Sequence, residues 1–133
     1  MDLMQRRRAM MQAAQASGPV FPVVVEIPLP LNTICLSGNI TPKTDWRSSG
    51  YIPVPQGATK VRWTNFSAKT GFRAGTPQTE VQTSGITMLN NGSPITVGTG
   101  ATSAKFSIAS YAYLYISRIG TDTSSITVEF LKE

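Results

Sequence analysis

Residues 46–63, W-R-S-S-G-Y-I-P-V-P-Q-G-A-T-K-V-R-W, decide the fold class of this 133-residue chain. Tyr51, Ile52 and Val54 form a first strand, Pro55-Gln56-Gly57 a turn, and Lys60-Val61-Arg62-Trp63 a second strand. In the second strand cationic and apolar side chains alternate, the period-two pattern of a sheet with one face buried and one in water. Trp46 and Trp63 read as core or core-edge residues.

The rest of the chain from Thr33 continues in the same manner. Candidate strands are Thr33–Leu36, Tyr51–Val54, Thr59–Asn65, Thr70–Arg73, Ile86–Leu89, Ala104–Ile108, Tyr113–Ile119 and Ser125–Lys132. Turn signals separate them at Ser37-Gly38-Asn39, Gln56-Gly57, Asn90-Asn91-Gly92, Gly98-Thr99-Gly100 and Gly120-Thr121-Asp122. Asn91-Gly92 is the strongest of these as a hairpin signal. In the last strand Ile126, Val128 and Phe130 point inward and Thr127 and Glu129 outward. In Tyr111–Ile119, Leu114 and Ile116 belong inside, which sends Tyr111, Tyr113 and Tyr115 to the other face. Many short strands at this spacing predict an all-β fold, an antiparallel, jelly-roll-like β-sandwich over residues 33–133.

Two different segments precede it. Residues 1–18 form a basic anchor segment in which 2–16 are helix-forming, with Leu3, Met10 and Ala14 near one face and Arg6, Arg7 and Arg8 among them, and Gly18-Pro19 ends the helix. A helix of this length is marginal in water unless docked. It is read either as a solvated terminus or as an anchor whose methionines insert into a partner. Residues 19–32 carry prolines at 19, 22, 28 and 30, so they form an extended arm in which only Val23–Ile27 can be a short edge strand. That strand either wraps its own domain or lies against a neighbouring subunit. The candidate subunit-anchoring residues are Leu3, Met4, Arg6, Arg7, Arg8, Met10 and Met11, with Val23, Val25 and Ile27 of the arm.

Composition narrows the chemistry. The chain has no histidine, which removes the usual general base, zinc ligand and near-neutral pH switch. Its single cysteine, Cys35, cannot build a disulfide framework and reads as a small apolar residue. The seven carboxylates are scattered, with no pair at a glycosidase-like spacing. No G-x-S-x-G elbow or phosphate-cradling loop occurs. An enzyme is not expected, and no catalytic, metal or cofactor-binding residue is assigned. Net charge is +5, unevenly spread. Three adjacent arginines without interleaved aromatics make a weak nucleic-acid footprint, so no nucleic-acid partner is expected. Nor is a membrane one, because no 18-residue apolar run exists. Arg6–Arg8 and Ala14-Gln15-Ala16 outline a secretory signal, but Ala9–Ala14 is too short and is broken by Gln12, so none is expected. Tyr111, Tyr113 and Tyr115, with Trp46 and Arg47, are of the types that meet sugars or protein hot spots, and the three tyrosines with Arg47 form the candidate surface or glycan contact.

The order S-G-Y-I-P-V, P-Q-G-A-T-K-V-R-W, then G-A-T-S-A-K-F-S-I and A-Y-L-Y-I-S-R resembles the small β-sandwich domains of bacteriophage tail, baseplate and head-surface proteins. In those, a Y-I-P-V strand-turn-strand precedes an A-K-Y-I-R-I-S-like strand, a part that Ala112–Arg118 plays here. The leading run M-D-L-M-Q-R-R-R-A-M-M also looks like the short basic N-termini of phage structural proteins. The domain's usual middle strand is reduced here to Thr70-Gly71-Phe72-Arg73, so no binding residue carries over. The resemblance implies a virion structural protein, present in multiple copies among other virion proteins, with host-surface glycan adhesion as an added role. A carbohydrate-binding module of a bacterial surface or secreted protein is the alternative.

Overall fold

A computed structural model describes residues 19–64, 71–97, 100–108, 112–121 and 125–133. The helix expected over 2–16 lies outside them. Among the described residues, short strands pair antiparallel into three sheets. The first sheet has the order β1-β11-β6-β9, with β1 at Val23–Ile27, β11 at Ile126–Leu131, β6 at Lys60–Thr64 and β9 at Phe106–Ser107. The second has the order β4-β10-β7-β8, with β4 at Trp46–Ser48, β10 at Tyr113–Ile119, β7 at Arg73–Thr76 and β8 at Thr87–Met88. A further strand, β5 at Ile52–Pro53, also pairs with β10. The third is the hairpin of β2, Ile34–Leu36, and β3, Ile40–Pro42. The all-β expectation holds.

The first sheet follows its sequence pattern closely. Val61 and Trp63 of β6 and Ile126, Val128 and Phe130 of β11 are buried, while Lys60, Arg62, Thr127 and Glu129 alternate outward. Its inner face shares one apolar core with Phe72, Ala74, Leu114 and Ile116 from the second sheet. Trp63 is fully buried there, packed on Phe72 and Phe106 at ring separations of 4.8 and 5.8 Å.

Several sequence expectations need correction. The arm's one expected edge strand, Val23–Ile27, is present as β1, and it belongs to the domain's own sheet, pairing along its whole length with β11 from Val23 opposite Phe130 to Ile27 opposite Ile126. The boundary at Thr33 is therefore not a break in the sheets. The strand-turn-strand of residues 51–63 turns where expected, with Ala58 N–H donating to Pro55 O at 3.1 Å and Gly57 at φ +89°. Yet β5 and β6 do not pair with each other. The turn carries the chain from the second sheet to the first. Asn90-Asn91-Gly92 does form a left-handed turn, as Asn and Gly tolerate, but no hairpin. β8 leaves β7 after Met88, loops out, and the chain rejoins the same edge where Ile95 bridges Phe72.

The largest departure concerns β10. Leu114, Tyr115, Ile116, Ser117 and Arg118 are all buried, so the strand has two covered faces and no outer tyrosine ladder. The cover is the β2–β3 hairpin with residues 83–86, joined by Ile40 N–H to Thr83 O and Ile86 N–H to Gly38 O, each 2.8 Å. Under it Leu36, Ile86 and Tyr115 form a second core, edged by Ile34, Ile40, Tyr51 and Met88. Gly75 permits the approach: a Cβ there would sit 2.9 Å from Ile86 Cγ2 and 3.1 Å from Leu36 Cδ2.

Candidate binding surfaces

The face of the second sheet that carries the sequence-predicted contacts is built around a one-residue bulge. Ser48 pairs with Ser117, and Ile52 with Leu114, so four steps on β4–β5 oppose three on β10. Gly50, at φ +73°, takes the extra turn. Ser49 closes it, its N–H donating to Ile116 O and its Oγ accepting from Ile116 N–H, both at 2.9 Å. The bulge reverses the alternation. Trp46 and Ser48 face outward before it, and Tyr51 outward with Ile52 inward after it.

Tyr51 thereby lands among the tyrosines of β10. Its ring meets Tyr115 edge-on at 5.1 Å and Tyr113 at 6.2 Å, and its hydroxyl donates to Gln82 O at 2.6 Å. Burial raises the Tyr51 pKa above its ordinary value, and the neighbouring Tyr115 adds to the shift. The Tyr115 hydroxyl shares a 3.0 Å hydrogen bond with Ser48 Oγ, which in turn accepts from Asn32 Nδ2. Ser117 Oγ donates to Ile34 O at 3.1 Å. These groups brace the hairpin against the sheet. Of the three candidate tyrosines, Tyr115 is fully committed to packing, Tyr113 is half-buried beside Tyr51, and Tyr111 lies outside the described residues.

Arg47 is likewise tied down. Its Nε donates to Gly120 O at 2.9 Å and its Nη1 to Leu29 O at 3.0 Å, which fastens the chain before β2 to the turn after β10. It is a strap and not a free glycan contact. Among the candidate anchoring residues, Ile27 is buried in the main core and Val23 packs against it, so both serve their own domain. Val25, 36% exposed, remains at the surface, next to Val24 at 57%. Leu3, Met4, Arg6, Arg7, Arg8, Met10 and Met11 lie outside the described residues.

The carboxylates are dispersed over structural roles. Glu129 receives Arg62 Nε at 3.1 Å and Nη2 at 3.3 Å, and this bond raises the Arg62 pKa. Lys105 holds Glu133 at 2.7 Å, and their hydrogen bond lowers the carboxyl's pKa. Glu26 accepts from Ser125 Oγ at 3.0 Å. Among the described residues no three His, Cys, Asp or Glu side chains gather as metal ligands. Cys35 is buried, 3.8 Å from Arg73 Nη1.

One cluster escaped the sequence reading. β4 and β7 flank β10 on opposite sides, with Ser48 and Arg73 both opposite Ser117. Arg73 thus comes to Trp46, its Cζ 5.5 Å from the indole centroid, and Lys43 Nζ from the loop after β3 lies 4.9 Å from it. Lys43 and Trp46 are close in sequence, but only the pairing of β7 with β10 brings in Arg73. No family model, no curated protein and no solved structure matches the chain.

Proposed function

We propose that this chain is a non-enzymatic virion structural protein, a jelly-roll β-sandwich present in multiple copies and fastened to neighbouring subunits by its N-terminal residues. The strand pairing is the observation that carries this reading. With β4 and β5 taken as one bulged strand, β1, β4–β5, β6, β7, β8, β9, β10 and β11 run from first to eighth. First pairs with last, second with seventh, third with sixth and fourth with fifth. Rolling such a ribbon adds two more pairs, third with eighth and fourth with seventh, and both are present. This order of pairs agrees with the double Greek key of a jelly roll, an architecture of viral capsid and lectin domains and of cupins, and supports that reading.

Fold alone does not fix function. The cupin use draws on metal-ligating side chains, and a chain without histidine is poorly equipped for it. The virion reading draws further support from the resemblance of residues 49–130 to phage sandwich domains and from where the chain enters the sheet. β1 is an edge strand at the rim of the first sheet, the place from which an N-terminal anchor would reach another subunit. Symmetric assemblies place the same contact on every copy.

Mass spectrometry of purified particles tests the class. The expected result is this chain in multiple copies per particle, with capsid or tail genes flanking its own. A chain abundant in the lysate but missing from the particles overturns it. A variant lacking residues 1–18 is expected to melt with the full chain and yet fail to enter particles. Normal incorporation removes the anchor.

A further inference from the structure

We propose that Lys43, Trp46 and Arg73 form a binding site for an acidic saccharide, with a carboxylate or sulfate held between the ammonium and the guanidinium and the sugar ring against the indole and Ile119. This goes beyond the virion reading and stands whether or not the chain enters particles.

Four observations converge on this corner. First, both cations lie against one half-buried indole, Lys43 Nζ at 4.9 Å and Arg73 Cζ at 5.5 Å from its centroid. They are therefore within roughly 10 Å of each other, about one Debye length at 0.1 M ionic strength. Second, neither pairs with a carboxylate among the described residues, whereas Arg62 and Lys105 do. Third, Arg73 and Trp46 lie on the same face of the sheet, since Ser48, Ser117 and Arg73 stand opposite one another, and Lys43 joins them there. Like charges held together repel, and a single anion placed between them reverses the sign of that interaction. Fourth, apolar surface adjoins the charge. Ile119 is the register partner of Trp46 and is 38% exposed, and Leu31, 56% exposed, bridges the neighbouring Arg47.

The geometry selects the ligand class. A planar guanidinium takes a carboxylate or sulfate by two parallel hydrogen bonds, and an ammonium adds a point charge. The apolar side of a pyranose fits a small aromatic and aliphatic surface. Single-stranded nucleic acid asks for a longer basic groove and open aromatic faces for successive bases. Here there is one indole.

Tryptophan fluorescence isolates the site, because Trp63 is fully buried and Trp46 is the chain's other tryptophan. Full-length protein is titrated with hyaluronan hexasaccharide, heparin hexasaccharide, maltohexaose and a thymidine oligonucleotide. The uronate or the sulfated hexasaccharide, or both, is expected to shift the emission, and the pair tells carboxylate from sulfate recognition. Lys43→Ala is expected to weaken that binding about tenfold without moving the melting temperature, since Lys43 is exposed. Arg73→Lys keeps the charge but loses the fork, and is expected to weaken it as well. The proposal is overturned if neither acidic saccharide shifts the emission, if maltohexaose or the oligonucleotide binds as tightly, or if Lys43→Ala binds unchanged.

Discussion

The two large sheets bury the same inner core, yet they treat their outer faces in opposite ways. The outer face of the first carries Lys60, Arg62, Thr127 and Glu129, and the ion pairs Arg62–Glu129 and Lys105–Glu133 lie on or beside it. The outer face of the second lies under the β2–β3 hairpin and is closed by Leu36, Ile86, Tyr115 and a chain of hydroxyl and amide groups. The difference shows where freedom remains for binding. On the first sheet charge is spent internally. On the second, the cover stops short of Trp46, and Lys43 and Arg73 pair with no carboxylate among the described residues.

Substitutions on the two outer faces should therefore differ most of all. Leu36 is fully buried under the hairpin, and Leu36→Ala is expected to destabilise by about 2–5 kcal/mol in chemical denaturation. Val24→Ala, on the outer face of the first sheet, is expected to stay within about 0.5 kcal/mol. Equal losses would mean that the hairpin does not cover the second sheet in solution. Tyr115→Phe is the next largest effect. It removes the hydroxyl that meets Ser48 Oγ at 3.0 Å and leaves buried polar atoms short of a partner, at a cost of about 1–3 kcal/mol. A variant as stable as the parent would detach that network from the folding energy.

The same contrast governs what the sequence reveals. A sheet with one wet face writes its structure as alternation, and β6 and β11 were legible residue by residue. β10 carries Leu114 through Arg118 with both faces covered, so alternation there assigned the tyrosines to solvent. Reading them correctly requires knowing that residues 34–42 fold back over them. That hairpin's return strand and β4 are hidden in N-I-T-P-K-T-D-W-R-S-S-G, where Pro, Gly and polar residues imitate a loop and Asp45 takes φ +63°. The bulge at Gly50 then shifts the parity of everything after it. Tyr115 and Arg47 belong to the brace, and the cluster around Trp46 depends on β4 and β7 meeting across β10, which no local pattern encodes.

Charge removal on the first sheet gives a smaller effect. Arg62→Gln and Glu129→Gln should each destabilise less than Tyr115→Phe, and a double-mutant cycle should show a coupling that shrinks in 0.5 M salt, taken as about the range where the Debye length falls below roughly 5 Å. A coupling insensitive to salt would place this pair in a drier setting than an outer face provides.

The smallest effect is a titration confined to the covered face. Burial, and then Tyr115, raise the pKa of Tyr51, so the folded state keeps that proton at a pH where the unfolded chain has released it. Stability rises with pH only where the unfolded state holds more protons, and here it holds fewer. The contribution is therefore fully present below the unfolded tyrosine value of about 10 and is lost as pH rises from there toward the folded value. Denaturation midpoints should be level from neutral pH to about pH 9 and decline above about 10. Tyr51→Phe loses the hydroxyl bond to Gln82 O and so starts lower, but its alkaline decline should be shallower than the parent's. The difference between the two curves isolates Tyr51 from the other tyrosines. Parallel curves would mean that its hydroxyl titrates as freely when folded as when unfolded, and that the cover over the second sheet is open at that edge.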